Sequence, residues 1–261
     1  MKKISLLYLL AIAPFLACAE IKTKEISYTG GGVEMKGFLA WDNSSVVERP
    51  GILVVHEWWG QNEYARKRAK MLADLGYIAL AVDMYGDGKT TEHPKDAGAF
   101  ASQALANMDL AEARFKAAMK LLSDQPLCHA NKIGAIGYCF GGSVVLHAAR
   151  VGMDLKGVVS FHGSLSPKTL ATKDVVKAKI LVCNGADDEM ISKESIAALK
   201  QEMEVAGADL QFENYKGAVH SFTNPGATEI GKKFGLPLAY NKKADEKSWA
   251  EMQKFFDNIF K

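Results

Sequence analysis

The sequence lacks a strong excess of either charge and has few cysteines and prolines. Among 261 residues there are 32 basic and 30 acidic side chains, 4 cysteines and 7 prolines. The formal net charge of +2 produces too weak a field to favour nucleic acid or an anionic membrane as the partner. No repeat, low-complexity stretch or linker rich in proline and serine follows residue 20. With 48% hydrophobic residues, the composition excludes a disordered chain and a collagen, and it favours a globular protein that acts on a small molecule.

The first 19 residues have the pattern of a secretory signal. Lys2 and Lys3 form a basic start, and residues 4–19 form a charge-free run that contains Pro14. This run of 16 residues is shorter than the ~20 that a membrane-spanning helix needs, so stable membrane insertion is not expected. The small residues Ala17-Cys18-Ala19 predict cleavage after Ala19. The protein is therefore predicted to be exported to the periplasm or secreted, with residues 20–261 forming one domain.

The four cysteines leave a second processing route open and supply at least one free thiol. Lipidation of Cys18 is the alternative route, but Phe15 stands where such a site usually has leucine. After cleavage, three cysteines remain, at positions 128, 139 and 183. Three thiols leave at least one unpaired, and their spacing matches neither a zinc site nor a disulfide scaffold.

The hydrophobic pattern predicts an α/β protein with a doubly wound, mostly parallel sheet. Residues 26–40 alternate with the period of two that is typical of a β-hairpin. Near-continuous apolar runs, typical of buried parallel strands, follow at residues 51–55, 77–82, 133–136, 157–161 and 180–183. The segments between them have helical periodicity: one ends at Gly76, one or two lie within 94–125, one ends at Gly207, and the last spans 244–260. This order places functional loops at the carboxyl ends of the strands.

A candidate nucleophile lies in the turn Gly137-Tyr138-Cys139-Phe140-Gly141, between the predicted strand 133–136 and a helical stretch at 143–150. A nucleophile at such a turn has a strained backbone, and glycines two positions to either side let strand and helix approach closely. With 23 glycines in 261 residues, chance puts glycine at both positions around a given cysteine about once in 130. The structural alternative is a tight turn that holds an inert cysteine.

Partners for this thiol follow in the chain order nucleophile, acid, histidine. Asp187 and Asp188 come after the predicted strand 180–183, and His220 comes after another strand, 210–215. A thiol needs an adjacent imidazole to take its proton, and the imidazole needs a carboxylate to fix its tautomer and stabilise its cation. Either aspartate fits this last role, and for each one the alternative is a solvated loop acid.

Taken together, the motifs closely resemble the dienelactone hydrolase family of the α/β-hydrolase superfamily, over residues from about 24 to 260. Beyond the Cys139 turn, the resemblance rests on motifs in the expected order: His56-Glu57-Trp58-Trp59-Gly60, Asp83-Met84-Tyr85-Gly86, Gly185 to Asp188, His220-Ser221-Phe222, and a closing helix with Trp249. The family implies the α/β-hydrolase fold and hydrolysis of cyclic enol esters through an acyl-thioester on cysteine.

The resemblance also implies a role for each matching residue. Cys139 is expected to be the nucleophile, His220 the general base and then acid, and Asp188 the residue that orients His220. Glu57 matches an acid that contacts the thiol and takes part in its activation, with a structural ion pair as the alternative. The main-chain N–H groups of Trp58 and Phe140 are expected to form the oxyanion hole. Trp58, Trp59 and Phe222 suggest an apolar rim to the pocket, with simple core packing as the alternative for aromatic residues after strand ends.

No cofactor is implied, because no His/Asp/Glu group has metal-ligand spacing and no glycine-rich phosphate loop follows the first strand. The remaining histidines have no comparable context: His56 reads as a hydrogen-bonded structural residue, and His162, at a strand end, as one that could border the pocket. The others, at positions 93, 129 and 147, read as surface or packing residues.

The expected substrate is an uncharged small ester or lactone. The family's best-known members grip a carboxylate-bearing dienelactone with arginines, one of them a few residues after the catalytic histidine. Here the corresponding stretch runs from His220 to Asn224 and contains no arginine, and no arginine follows Arg150 anywhere in the sequence. Any of four lysines, at positions 89, 95, 232 and 233, would supply only a point charge. The alternatives are a thioesterase or acyltransferase with the same triad, or a non-catalytic binding or redox-sensing protein. The oligomeric state is not predicted.

Overall fold

The structure is a computed structural model that describes residues 20–44 and 46–261. The predicted secretory signal, residues 1–19, lies outside the described residues. The strands are β1 (Ile21–Gly30), β2 (Val33–Asp42), β3 (Arg49–Val55), β4 (Ile78–Val82), β5 (Cys128–Tyr138), β6 (Gly157–Phe161), β7 (Lys179–Gly185) and β8 (Leu210–Tyr215). The helices are α1 (Glu63–Asp74), α2 (Pro94–Ala106), α3 (Met108–Ser123), α4 (Phe140–Arg150), α5 (Lys193–Ala206), α6 (Ala227–Phe234) and α7 (Lys242–Phe260).

The described strands form one eight-stranded sheet in the order β1-β2-β4-β3-β5-β6-β7-β8. The predicted hairpin is present, with β1 antiparallel to β2 and β2 antiparallel to β4. Every pair from β4 across to β8 is parallel. The predicted α/β class with a mostly parallel, doubly wound sheet is confirmed.

Alternate residues of the central strands bury against two different helical layers. In β3, Leu53 and Val55 belong to the core that includes residues of α3, α4 and α5, whereas Ile52 and Val54 belong to the core with α1 and α7. All four side chains are fully buried. Burial on both faces explains why the strand sequence is continuously hydrophobic instead of alternating.

The structure shows how many helices lie within residues 94–125, which the periodicity left open. It also contains a helix, α6, that the periodicity did not predict. Residues 94–125 form two helices, because Asn107 has an extended backbone between them and its side chain caps α3 by accepting from the Leu110 N–H. Helix α6 was not predicted, and its first residue follows Gly226 without a side-chain cap. Cys128, which the sequence pattern placed just after a helix, begins strand β5.

The carboxyl ends of neighbouring parallel strands bring the predicted site residues to one edge of the sheet. Glu57 follows β3, Cys139 follows β5, Asp188 follows β7 and His220 follows β8. His162 comes directly after β6, between the strands that lead to Cys139 and Asp188. Side chains that are distant in sequence are therefore neighbours along this edge.

Candidate active site

The turn of residues 137–141, called here the Cys139 turn, has the strained backbone that its sequence predicts. Cys139 has φ of 52° and ψ of −113° between β5 and α4. A Cβ atom on Gly137 would lie 2.0 Å from the Gly141 carbonyl oxygen, and one on Gly141 would lie 2.3 Å from the Val55 oxygen. Only glycine allows β5, α4 and the end of β3 to approach this closely. The half-buried Cys139 thiol therefore stands at the tip of a densely packed turn.

Asp188 is the aspartate that contacts the predicted base. The Nδ1 atom of His220 lies 2.8 Å from Oδ2 of Asp188, and both side chains are nearly inaccessible to solvent. The other carboxylate oxygen of Asp188 accepts a hydrogen bond from the Met190 N–H at 2.9 Å. Asp187 is exposed. Of the two adjacent acids, the structure brings only Asp188 to the imidazole.

The surroundings of His220 favour its cation. Burial alone disfavours the charged ring, but the negative charge of Cys139, the hydrogen bond to Asp188 and a hydrogen bond to Cys139 together outweigh it and raise the pKa of His220 to about 10. The ring thus contacts the thiol on one side and the carboxylate on the other. At neutral pH this arrangement favours an imidazolium next to the sulfur.

The buried Glu57 carboxylate is held by the segment that follows His220. Its oxygens accept hydrogen bonds from Ser221 Oγ at 2.9 Å and from Asn224 Nδ2 at 2.6 Å. Among the described residues, these two are its hydrogen-bond donors, so the contact with the thiol that the resemblance implies is not one of its hydrogen bonds. Burial raises the pKa of Glu57, against the opposing effect of these two donors and of the charges on His220 and Arg68.

The two amides expected to form an oxyanion hole lie in loops that touch each other. The Gly141 N–H donates to the His56 carbonyl at 3.1 Å, which joins the Cys139 turn to the loop after β3. The Tyr85 hydroxyl donates to the Trp58 carbonyl at 3.0 Å, and this second hydrogen bond helps to fix the position of Trp58. In the described part of the chain, no acceptor takes the N–H of Trp58 or Phe140.

His56 and His162 are both fully buried and fully hydrogen-bonded, the first predicted as a structural residue and the second as one that could border the pocket. His56 donates from Nδ1 to the Glu57 carbonyl at 2.5 Å and accepts at Nε2 from the Met84 N–H at 3.3 Å. Burial lowers the pKa of His56 to about 4, so it is neutral. His56 is the structural residue that the sequence predicted. His162 lies directly beneath the Cys139 turn, where it accepts from the Cys139 N–H at 3.1 Å.

The predicted apolar rim is only partly present. Trp58 is half-buried, but Trp59 is 4% exposed and Phe222 is fully buried, so Phe222 belongs to the core and its prediction as a rim residue is wrong. Of the four lysines considered, Lys89 and Lys233 line cavities of about 200 Å³ and 320 Å³ respectively. The larger cavity is also lined by Asn224, whose side chain binds Glu57.

The sequence reasoning did not predict the polar network of the half-buried Tyr64 with the buried Arg68 and Thr223. Arg68 Nη2 donates to the Thr223 carbonyl at 2.7 Å and to Asp245 at 2.5 Å. The Tyr64 and Thr223 hydroxyls are 2.7 Å apart. These partners are separated by more than 150 residues, so no local pattern indicates them. Within residues 20–44 and 46–261, no cluster of His, Cys, Asp and Glu has the arrangement of a metal site, and no helix has the length and apolarity to cross a membrane.

The mostly parallel sheet, with its strained turn after β5 and its acid and histidine after β7 and β8, defines an α/β-hydrolase fold. A family model described as "Dienelactone hydrolase family" matches residues 35–260. The chain therefore belongs to the dienelactone hydrolase family and is a hydrolase of that type. The resemblance inferred from the sequence motifs is confirmed.

Several relatives match this chain over most of its length. A crystal structure of a dienelactone hydrolase-like promiscuous phosphotriesterase from metagenomic libraries is 34% identical, with a TM-score of 0.86, over 92% of this chain and 98% of that one. A candidate carboxymethylenebutenolidase of Aquifex aeolicus is 24% identical over 90% of this chain and 98% of its own length. Protein usf of Aquifex pyrophilus is 28% identical over 76% of this chain and 86% of its own length.

The close packing of the Cys139 turn predicts that Gly137→Ala destabilises the protein. The added methyl group would lie 2.0 Å from the Gly141 oxygen, and backbone cannot move aside as a flexible side chain can. We expect a loss of roughly 1–3 kcal/mol in the free energy of unfolding, measured by urea titration. The matched control is Gly98→Ala in α2, where the nearest atom, on Trp58, is 3.9 Å away. That change should stabilise by about 0.5–1 kcal/mol, and equal stabilities for the two variants would contradict the packing argument.

Proposed function

We propose that this protein hydrolyses a small ester or lactone through an acyl-thioester on Cys139. The observation that carries the proposal is the continuous contact from the Cys139 thiol to the His220 ring and on to the Asp188 carboxylate. This contact lies at a turn whose adjacent amides are open to a ligand. Thiol, imidazole and carboxylate in this order are the groups required for nucleophilic acyl transfer.

In the first half of the reaction, His220 holds as its cation the proton that it has taken from the Cys139 thiol, and a lone pair of the thiolate sulfur attacks the ester carbonyl carbon. The carbonyl π electrons move to oxygen, and the Trp58 and Phe140 N–H groups bind the resulting oxyanion. When the C=O bond forms again, the C–O bond to the leaving group breaks. His220 then gives its proton to the departing alkoxide, and an acyl-thioester remains on Cys139.

In the second half, His220 takes a proton from water as the water oxygen attacks the thioester carbonyl. The tetrahedral intermediate collapses to the carboxylic acid, the C–S bond breaks, and the Cys139 thiolate is left beside the protonated His220. Asp188 keeps the imidazole in one tautomer and balances its charge through both halves. Glu57 acts on this cycle through Ser221 and Asn224, which follow His220 in the same loop.

A thioesterase or acyltransferase would use the same first half and differ only in the leaving group or acceptor. A binding or redox-sensing protein would form no acyl-enzyme. Acid-quench mass spectrometry separates these classes, since a transient acyl adduct at Cys139 supports catalysis whereas oxidation alone supports sensing.

The mechanism predicts that Cys139→Ala and His220→Ala each lower kcat/KM for an ester substrate by about 10⁴-fold or more. Asp188→Asn should cost less, because orientation is lost while the base remains. Initial rates with a chromogenic ester measure these effects. Cys128→Ala is the matched control, because Cys128 begins β5 at the opposite end from the turn, and it should retain activity. Activity of Cys139→Ala near that of wild type would rule out the mechanism.

The charge of the site favours an uncharged substrate. Asn224 gives its amide to Glu57 and accepts from the Gly226 N–H at 3.0 Å, so its side chain is already occupied. The buried Glu57 acid contributes no positive charge. Lys233 lines one cavity, and Lys89 lines another together with Arg114, whose Nη1 donates to the Met84 carbonyl at 2.8 Å. A bidentate guanidinium grip on a substrate carboxylate is therefore absent after His220.

The phosphotriesterase neighbour supports a second candidate activity of the same kind. A phosphotriester is also a neutral molecule with an electrophilic centre and a leaving group. Because that protein is 34% identical over 92% of this chain, a neutral phosphotriester belongs in the substrate panel.

We predict that uncharged esters or lactones have a kcat/KM at least about tenfold above that of a carboxylated dienelactone of similar size, since no arginine follows His220 to offset the cost of desolvating the carboxylate. Steady-state kinetics over matched neutral and carboxylated substrates measure the ratio. A higher value for the carboxylated lactone, removed by Lys89→Ala or Lys233→Ala, would show that a lysine supplies the missing positive charge.

We also propose that the protein is exported and that Glu20 is the mature N-terminus. The basic start, the apolar run and Ala17-Cys18-Ala19 support this processing. N-terminal sequencing of protein isolated from its native host should begin at Glu20. Intact Met1 in the cytoplasm, or a lipid on Cys18, would contradict cleavage after Ala19.

A further inference from the structure

A single buried ring, that of His162, contacts both the Cys139 turn and the loop that carries His220. Its Nδ1 atom lies 3.1 Å from the Cys139 main-chain nitrogen, whose N–H is shared with the Phe161 carbonyl at 3.0 Å, and its Nε2 atom lies 2.7 Å from Thr223 Oγ1. Thr223 is three residues beyond His220. The side chain of His162 is fully buried, so water does not compete for either contact.

The direction of each hydrogen bond fixes the protonation of this ring. A main-chain N–H can only donate, so Nδ1 of His162 must be the unprotonated acceptor for Cys139. The proton of the neutral ring is then on Nε2 and is donated to the Thr223 hydroxyl. Burial and the nearby charges of His220 and Arg68 hold the pKa of His162 well below its usual range, in agreement with a neutral ring.

Thr223, the residue that His162 contacts through Nε2, is held by α1 directly and by α7 through Arg68. The Thr223 hydroxyl is 2.7 Å from the Tyr64 hydroxyl of α1, and Arg68 Nη2 of the same helix donates to the Thr223 carbonyl at 2.7 Å. Arg68 also forms an ion pair with Asp245 of α7. The guanidinium lies over the rings of Tyr64 and Tyr138, 5.3 Å and 5.4 Å from their centroids. Thr223 therefore has a fixed position, and the ring of His162 transmits that position to the Cys139 turn.

The backbone of His162 is itself strained, with φ of 41° directly after β6. Its ring meets the His220 ring edge to face, with centroids 5.3 Å apart. A positive φ in a residue other than glycine is costly and persists only where surrounding contacts determine it. Here the ring must point back under the Cys139 turn, and the positive φ gives it that direction.

We propose that His162 is a positioning residue that holds the Cys139 turn and the His220 loop at the separation the thiol–imidazole pair requires. The inference rests on the proposed function of Cys139 and His220. The residue touches no substrate and transfers no proton. His162 acts by holding two segments that are distant in the sequence. It contacts the Cys139 turn through the Cys139 N–H and the His220 loop through the Thr223 hydroxyl.

The test uses the full-length protein and a readout independent of ester turnover. The rate at which iodoacetamide alkylates Cys139 is followed against pH by mass spectrometry of its peptide, because thiolate reacts and thiol does not. Thr223→Val removes the acceptor for His162 without changing side-chain size, and His162→Asn keeps an acceptor near the Cys139 N–H and tolerates a positive φ. Both variants should shift the alkylation midpoint to higher pH and lower kcat at least about tenfold, with KM changed less than about twofold.

Two further variants separate positioning from general stability. Thr223→Ser retains the hydroxyl and should restore the wild-type alkylation midpoint. His147→Gln alters another buried histidine, one paired with Glu112 on the far side of α4, and should change thermal stability without moving the midpoint.

Variants of Thr223 and His162 that stay folded by circular dichroism, with wild-type alkylation midpoints and kcat, would overturn the positioning role. A different result would contradict the proposed function itself. In that case Cys139→Ala would still hydrolyse the ester, independently of the alkylation profiles of the other variants.

Discussion

The site depends on one crowded point in the main chain, where the end of β3, the end of β5 and the start of α4 meet at the Cys139 turn. Gly137 and Gly141 have no room for a side chain, and Cys139 is held at φ of 52° between them. A strained non-glycine residue costs on the order of 1–3 kcal/mol, and the surrounding contacts must offset that cost. Buried parallel strands supply the offset through ladder hydrogen bonds and apolar packing on both faces. The strain leaves the thiol projecting from the turn, with the adjacent amides beside it.

Around that point, polar groups are buried in pairs whose partners come from distant parts of the chain. Asp188 meets His220, Glu57 meets Ser221 and Asn224, and the Arg68 guanidinium meets Asp245. A buried polar group without a partner costs about 1–3 kcal/mol, so each pair fixes the relative position of the two elements that carry it. The three pairs together hold the loops after β3, β7 and β8 in place. The cation favoured on His220 follows from this arrangement, because Cys139 and Asp188 lie on opposite sides of one buried ring.

The sequence predicted those parts of the structure that short-range patterns encode. The strands of the central sheet, the hairpin and the Cys139 turn each have a local signature, and the order of Cys139, Asp188 and His220 along the chain indicated which residues would meet. Contacts such as His162 with Thr223 have no such signature, because their spacing of 61 residues is set only by how the strands stack. Phe222 was considered for the rim because it follows His220, although aromatic residues after strand ends are more often core, and its full burial shows that it belongs to the core. Helix α6 escaped prediction because it is short and lacks a capping side chain.

The ion pair between Arg68 and Asp245 also makes the site depend on a helix that contributes no residue to it. Asp245 lies in the first turn of α7, and Phe256 of the same helix packs in the core with the inner strands. Without Asp245, the buried Arg68 guanidinium would lose the carboxylate that neutralises it. Arg68 also holds the Thr223 carbonyl, three residues beyond His220. A substitution confined to α7 would therefore disturb the catalytic loop through a charge that lies outside the site.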